Sequence, residues 1–292
     1  MRRSAARGSF VSRATPLYFF GDSNALIFDD LLFERPESFE QPFITRSRFF
    51  ERLRAKNFTD ADGLLNAELF EAMSLDLLIS GDPADWRGFR SAPDRTQWRE
   101  FLAATPDLWL PGEWRHLRAP KIAFCVGALD HAEIVMQLGP TSDFVLPEGR
   151  YGPCPIDFTG VVDDVPLGLV EDLVAQALAP LRRGLTTFAE KGFDWVYLLA
   201  LRPPSLDDEA LTRTWQFASR PHLRYKVAML MNERMAAVAA ETGARFIDLW
   251  NEMTINGVFD ERFELDHMHT NKEAAFLAVE RILDDIQIRP LT

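Results

Sequence analysis

Two short clusters at opposite ends of the chain contain the residue types of a hydrolytic site. Residues 21–24 read Gly-Asp-Ser-Asn and come directly after an apolar run. Near the other end, Asp266 and His269 stand three residues apart, just before a stretch with helical periodicity. A serine can act as a nucleophile when a histidine accepts its proton and a carboxylate orients that histidine. The two clusters together therefore fit a catalytic triad of Ser23, His269 and Asp266.

Each cluster also has an ordinary structural explanation. Asp-Ser-Asn is common turn and N-cap chemistry, so Ser23 could simply begin a helix. Asp266 could cap the segment that follows it. His267 and His269 could instead ligate a metal ion, but a third ligand at a suitable spacing is missing from the sequence. We therefore predict no metal site, and no cofactor.

Apolar segments predict five strands that would position these clusters, and helical periodicity fills the stretches between them. The predicted strands are residues 16–20, 53–58, 121–126, 194–201 and 244–249. Strands that alternate with helices indicate a parallel sheet covered on both faces. Five helices are predicted. The first begins over residues 25–33, the second covers 63–80, and the third follows Pro166 with a kink or break at Pro180. The fourth spans 225–242 and ends at Gly243, and the fifth starts near Asn271.

The predicted fold is a three-layer α/β/α domain with a flavodoxin-like parallel sheet in the strand order 2-1-3-4-5. Such sheets bind ligands at their carboxyl edge, where Ser23 would lie at a helix N-terminus. We expect residues 15–292 to form a single domain with an irregular insertion at 81–120, after the second helix. Four of the seven tryptophans fall in this insertion, and they either line a sugar or acyl site or pack it onto the core. They are Trp86, Trp98, Trp109 and Trp114.

Composition excludes several classes of function. The 292 residues are 47% hydrophobic and 26% charged, as in folded soluble proteins, and no apolar run approaches the ~20 residues of a membrane span. A net charge of −12 without a basic block argues against nucleic-acid binding. Residues 1–14 hold four arginines and predict a disordered basic arm, although transit peptides are similar. With two cysteines and no secretory signal, we expect a cytoplasmic protein.

The two clusters resemble the sequence blocks of the SGNH, or GDSL-like, hydrolase superfamily. Gly21-Asp22-Ser23 follows the first strand and Asp266-His267-Met268-His269 precedes the last helix, as in that family. Residues 222–250 also resemble the helix and fifth strand that precede the second block. The resemblance extends from about residue 16 to the end, without residues 81–120. It implies Ser23 as nucleophile, His269 as general base and Asp266 as its orienter, with a small-molecule or glycan ester as the substrate.

The same family implies two oxyanion donors besides the serine N–H. One is a glycine after the second strand, where Gly63 stands; the other is an asparagine in a Gly-x-Asn-Asp block after the third strand. Here that block begins at Gly127 and has Leu129 in place of the asparagine. Leucine cannot donate a hydrogen bond, so His131 or Asn24 would have to supply the missing N–H. The block also resembles that of a GDSH-type branch associated with glycan or cell-envelope genes, but in that branch a histidine stands where this chain has Asn24.

Several alternatives remain open at the level of sequence. Arg202 follows the fourth strand and could bind an anionic substrate group, or could be a solvated arginine before a Pro-Pro turn. Transfer of the acyl group to water would make the protein an esterase or deacylase, and transfer to a glycan hydroxyl would make it an O-acyltransferase. Leu129 motivates a third reading, a catalytically impaired binding protein with the same fold. A metal-dependent enzyme using His267 and His269 is a fourth alternative, which the missing third ligand argues against.

Overall fold

The computed structural model describes most of the chain after residue 120 and shorter segments before it. Gly63, the predicted second strand 53–58, the predicted helix 63–80, the basic arm and the insertion 81–120 lie outside the described residues. The described residues are 15–21, 23–28, 32–33, 43–49, 121–160, 162–190, 195–215 and 218–288.

A mainly parallel sheet forms the centre of the described fold. Five strands run parallel in the spatial order β3-β1-β4-β5-β6, and the short strand β2 pairs with β3 in the antiparallel direction at one edge. The strands are β1 (Thr15–Gly21), β2 (Leu32–Phe33), β3 (Phe43–Phe49), β4 (Lys121–Cys125), β5 (Val196–Leu199) and β6 (Arg245–Ile247). Four of them coincide with predicted strands, whereas β3 lies in a segment for which no strand was predicted.

The α-helix predicted to begin over residues 25–33 is wrong. Residues Ser23–Phe28 form a 3-10 helix, and Leu32 and Phe33 then join the sheet edge opposite Ile44 and Phe43. Phe28, the last residue of this 3-10 helix, is buried, and its ring stacks on the ring of Phe19 in β1 at a centroid distance of 3.8 Å. Burial of such a ring stabilises the fold by roughly 1.5–3 kcal/mol.

Five α-helices are described, and they cover the two faces of the sheet. The long helix after Pro166 continues through Pro180 without the expected break, with Leu178 and Leu181 on either side of the proline buried in the core. The helix before β6 ends at Gly243, where φ is 77°, as predicted. The helices are α1 (Ala128–Leu138), α2 (Leu167–Glu190), α3 (Asp208–Trp215), α4 (Pro221–Thr242) and α5 (Lys272–Ile288).

Alternating side chains of the central strands divide the core into two layers. In β4, Ile122 and Phe124 pack with α1, α2 and α4, whereas Ala123 and Cys125 point to the opposite face. That second face is covered by α5 and the 3-10 helix at Ser23–Phe28. A parallel sheet with both faces buried requires continuous apolar strands of this kind. The fold is therefore a three-layer α/β/α domain, as predicted, and none of its described helices is long and apolar enough to cross a membrane.

Candidate active site

The segment that carries Ser23 is fixed by close contact between two strands. Gly21, the last residue of β1, lies opposite Cys125, the last residue of β4. A Cβ atom built on Gly21 would lie 1.9 Å from the carbonyl oxygen of Cys125, so only glycine fits there. Two residues later, Ser23 begins the 3-10 helix at the carboxyl end of β1. This is the edge of the sheet at which ligands bind in open α/β folds.

Asp266 and His269 form a directly hydrogen-bonded pair. The Nδ1 atom of His269 lies 2.9 Å from both carboxylate oxygens of Asp266. Because a carboxylate only accepts, Nδ1 must carry the proton, which makes Nε2 the basic nitrogen of a neutral ring. This is the tautomer that a histidine needs to accept a proton from a nucleophile.

Backbone hydrogen bonds hold the pair inside a tight turn. The amide of His269 donates to the carbonyl oxygen of Asp266 at 3.2 Å, and the amide of Leu265 donates to the carbonyl oxygen of His269 at 3.0 Å. The turn closes with a bridge between Glu264 and Thr270, after which the side chain of Asn271 accepts two amide hydrogens at the start of α5. The start of the last helix therefore fixes where the imidazole lies.

The charge of Asp266 is stabilised by its own turn. Partial burial acts to raise the pKa of this carboxyl group, but the hydrogen bonds from the His269 ring and from the amides of Met268 and His269 outweigh it and lower the pKa. The two amide nitrogens lie 2.7 and 2.8 Å from Oδ1. Asp266 is therefore ionised at neutral pH and can stabilise a positive charge that forms on His269.

One pocket is lined by residues from both ends of the chain. They include Asn24, the neighbour of Ser23, and Met268 and Thr270, the neighbours of His269. Its volume is about 120 Å³, and most of the residues that line it, among those the structure describes, are apolar. The apolar members include Ile27, Phe28, Val126, Leu199, Leu201, Leu249 and Met253. Apolar walls with few polar groups are typical of sites that bind small organic molecules.

Gly127 lies between two residues that line the pocket, Val126 and Ala128. Gly127 precedes α1 with a φ of 105°, a left-handed conformation that favours glycine, and a Cβ atom there would lie 3.2 Å from Cδ2 of Leu201. Ala128, the first residue of α1, lines the pocket. Leu129, which the resemblance aligns with an asparagine donor, follows it in the first turn. Gly63, the other predicted donor, lies outside the described residues.

His131 also lines the pocket, but its N–H group is used in the core. Its Nε2 atom lies 2.9 Å from the backbone carbonyl oxygen of Arg224. Because a carbonyl oxygen can only accept a hydrogen bond, Nε2 carries the proton. Burial lowers the pKa of His131 to about 4, and the ring is therefore neutral at neutral pH. A neutral ring has one N–H, and this one is already donated. This arrangement weighs against His131 as the replacement oxyanion donor.

Arg202 lies in the pocket wall, on backbone that a buried amide holds in place. Asn232 in α4 accepts a hydrogen bond from the amide of Leu201 at 2.7 Å and donates to its carbonyl oxygen at 3.0 Å. The guanidinium of Arg202 then donates to the carbonyl oxygens of His267 and Pro203 and lies 4.9 Å from the centre of the Phe259 ring. Sequence reasoning missed Asn232, since a buried polar residue inside a helix has no local signal.

The two histidines of the second block do not converge on one point. Whereas His269 bonds to Asp266, Nδ1 of His267 lies 3.7 Å from Glu264 and its Nε2 lies 3.8 Å from Asp207. Within the part of the chain that the structure describes, no three histidine, cysteine or carboxylate side chains cluster as metal ligands. His267 also lines the pocket, so it is a candidate for substrate contact.

Comparison with known proteins adds similarity at the level of whole chains only. No family model and no curated protein matches the sequence. Among solved structures, a proposed platelet activating factor from Streptococcus pneumonia is 14% identical, with a TM-score of 0.44, and the match covers 94% of this chain and 84% of that one. A lipase/acylhydrolase from Enterococcus faecalis is 16% identical, with a TM-score of 0.34, and the match covers 95% and 99% of the two chains. At these values the similarity carries no argument about the site.

Proposed function

We propose that the protein is a serine hydrolase of the SGNH type that cleaves ester bonds through Ser23, His269 and Asp266. Two observations support this proposal: the hydrogen bonds between Asp266 and His269, and a pocket lined by residues adjacent to Ser23 and His269, although neither His269 nor Asp266 is among its described lining residues. The pocket walls include the neighbour of Ser23 and both neighbours of His269, while the His269 ring is bonded to Asp266 in the required tautomer.

In the proposed reaction, the hydroxyl oxygen of Ser23 attacks the ester carbonyl carbon while its proton passes to Nε2 of His269. The tetrahedral intermediate then expels the alcohol, which takes the proton from His269, and leaves the acyl group on Ser23. A water molecule next gives a proton to His269 and attacks the acyl-enzyme, so that the carboxylic acid leaves and Ser23 regains its hydrogen. Asp266 stays ionised throughout and stabilises the imidazolium.

Stabilisation of the oxyanion is the weak part of this site. Loss of one donor typically lowers the rate by ~10²–10³. With Leu129 at the asparagine position and the N–H of His131 donated to Arg224, the remaining candidates are the amide of Ser23, the side chain of Asn24, and Gly63. We therefore expect turnover well below that of an enzyme with the full set of donors.

A leucine at position 129 also favours a second candidate function. In this second function, the protein has the triad residues and binds ligands in the pocket, but it does not catalyse their hydrolysis. Both functions predict that ester-like ligands enter the pocket. They differ in whether Ser23 forms a covalent bond, because a fluorophosphonate reacts only with a serine whose hydroxyl is activated.

The test is fluorophosphonate labelling together with the turnover of short-chain 4-nitrophenyl esters. We expect the wild-type protein to be labelled and to hydrolyse the esters, and Ser23→Ala to lose both properties. His269→Ala should also lose both while the protein remains folded by circular dichroism. If Ser23→Ala retained labelling or turnover, Ser23 would not be the nucleophile. A folded wild-type protein that binds ester analogues without being labelled would instead favour the binding function.

A further inference from the structure

Arg202 is a charged side chain in the wall of an otherwise largely apolar pocket. Its side chain is partly buried, and it shares the pocket wall with apolar residues such as Leu201, Leu249, Trp250 and Met253. Burial lowers the pKa of Arg202, but only to about 10, so the guanidinium is charged at neutral pH. A buried charge is costly unless an opposite charge or several hydrogen bonds compensate it.

The described residues compensate this charge only in part. Arg202 donates to two backbone carbonyl oxygens, those of His267 and Pro203, and stacks over Phe259. Among the described ion pairs, none joins Arg202 to a carboxylate. The two acidic residues whose charges act on it, Glu264 and Asp266, already face His267 and His269. A guanidinium has five N–H donors, so donors remain for a ligand in the pocket.

We propose that the pocket binds an ester that also carries a carboxylate, and that Arg202 holds this carboxylate. The proposal rests on the proposed hydrolase function and names its substrate class. A carboxylate matches the planar fork of a guanidinium and balances a single positive charge. A phosphate group would bring up to two negative charges close to Glu264 and Asp266, with one cation to balance them. The singly charged group therefore fits better.

The position of Arg202 is prepared before any ligand binds. Asn232 fixes the backbone at Leu201, and the guanidinium carbon lies 4.9 Å from the centre of the Phe259 ring. Since the side chain is already ordered, little conformational entropy is lost when a carboxylate binds. A solvated surface arginine would have no such support. Arg202 also contacts the carbonyl oxygen of His267 in the turn that carries His269, so the test must separate substrate binding from positioning of that turn.

The experiment compares esters that differ only in charge. The first pair is charged 4-acetoxybenzoate and neutral 4-acetoxybenzamide, which differ in the alcohol part of the ester. The second pair is the charged 4-nitrophenyl monoester of octanedioate and neutral 4-nitrophenyl octanoate, which differ in the acyl part. We expect the wild type to prefer the charged member of at least one pair by about tenfold or more in kcat/KM. Arg202→Met should lower kcat/KM for that ester by about 10- to 100-fold, the loss typical of a charge-assisted hydrogen bond, and should lower kcat/KM for the neutral ester by a clearly smaller factor.

Two further variants serve as controls. Arg182→Met changes the net charge by the same amount as Arg202→Met, but Arg182 forms an exposed ion pair with Glu241. This variant should therefore leave kcat/KM unchanged for both the charged and the neutral ester. Arg202→Lys keeps the charge and should retain part of the preference, and it replaces Arg202→Met if that variant does not fold. Equal losses on the charged and the neutral ester would show that Arg202 positions the His269 turn, and would overturn the proposal. A wild type without preference in either pair would overturn it as well.

A binding measurement separates this proposal from the proposed function. Calorimetric titration of Ser23→Ala with 4-hydroxybenzoate, 4-hydroxybenzamide, octanedioate and octanamide needs no turnover. If a carboxylate binds more tightly than the neutral amide, and Arg202→Met in the same background removes the difference, the anion site stands even where no ester is hydrolysed. If Ser23-dependent turnover is found but no carboxylate is preferred in binding or kinetics, the hydrolase stands and the anion site fails.

Discussion

The Nδ1 atom of His269 lies at the same distance, 2.9 Å, from both carboxylate oxygens of Asp266. One of these oxygens, Oδ1, also accepts the backbone amides of Met268 and His269. The carboxylate therefore has two tasks at once: it organises the turn and it fixes the tautomer of the histidine. Substitutions at position 266 can separate these tasks, because the two depend on different properties of the side chain.

Asp266→Asn should abolish most of the activity and leave most of the stability. An asparagine oxygen can still accept the two backbone amides, but its NH₂ group would turn towards Nδ1 and favour the wrong tautomer. We expect kcat to fall by about 10⁴, as in other serine triads. Asp266→Ala should lose as much activity and also unfold at lower denaturant, because the turn loses both acceptors. If Asp266→Asn kept wild-type kcat, the pair would have no catalytic role.

The same carboxylate predicts a change of stability at acid pH. The pKa of Asp266 is lowered in the folded protein, from a usual value of 3.8 in the unfolded chain. Its contribution is therefore fully present above about pH 4 and is lost as the pH falls through the folded pKa. Thermal unfolding of the wild type and Asp266→Asn between pH 6 and pH 2.5 should show the difference between them shrinking below pH 4. A difference that stays constant over this range would contradict the prediction.

His131 should make the free energy of unfolding depend on pH above the range in which Asp266 acts. Because burial lowers its pKa from 6.5 to about 4, the unfolded chain binds a proton between these values and the folded protein does not. The free energy of unfolding should therefore fall as the pH drops from 6.5 to 4, by about 3 kcal/mol in total from this residue. Buried His222, whose pKa is also lowered by burial, adds a decrease of the same sign.

His131→Gln isolates this contribution. Glutamine does not titrate, and its NH₂ group can still donate to the carbonyl oxygen of Arg224. Urea unfolding at several pH values should give the variant a flatter dependence between pH 6.5 and 4 than the wild type, with similar stability near pH 7.5. Equal slopes for the two proteins would mean that His131 is protonated in the folded state.

Gly21→Ala should disrupt the sheet next to Ser23. Its new methyl group would lie 1.9 Å from the carbonyl oxygen of Cys125, so β1 and β4 would have to separate. We expect a loss of at least about 3 kcal/mol in the free energy of unfolding, at the upper end for overpacked sites. Gly168→Ala is the matched control: in α2 its methyl group would meet nothing within 4 Å, and the change should be neutral or stabilise by up to about 1 kcal/mol. Similar stabilities of the two variants would contradict the close contact.

The parts of the molecule that sequence reasoning predicted are those with local signals. Gly-Asp-Ser and Asp-x-x-His are short blocks, and the apolar runs of β1, β4, β5 and β6 are clear in the sequence, so the fold class was confirmed. The strand β3 was missed because its sequence, Phe-Ile-Thr-Arg-Ser-Arg-Phe, is half polar. The roles of Ser23, His269 and Asp266 stay predictions that the experiments above test.

The contacts that surround the site depend instead on residues far apart in the chain. Asn232 bonds to the backbone of Leu201, 31 positions earlier, and His131 bonds to the carbonyl oxygen of Arg224, 93 positions later. Neither pairing can be predicted from a periodicity or a motif in the sequence. The sequence therefore suggested His131 as an oxyanion donor, whereas the packing of α1 against α4 uses its N–H elsewhere.

Leu129→Asn should raise the activity. Leu129 stands in the first turn of α1, directly after the pocket residue Ala128, and the resemblance implies an asparagine donor at this position. One such donor is typically worth ~10²–10³ in rate, so even an imperfectly placed asparagine should increase kcat by about tenfold or more, with a smaller change in KM. Leu129→Ala controls for loss of the leucine side chain and should not exceed the wild type. Equal kcat values for the asparagine and alanine variants would show that position 129 does not reach the oxyanion, and that the chain stabilises it with other groups.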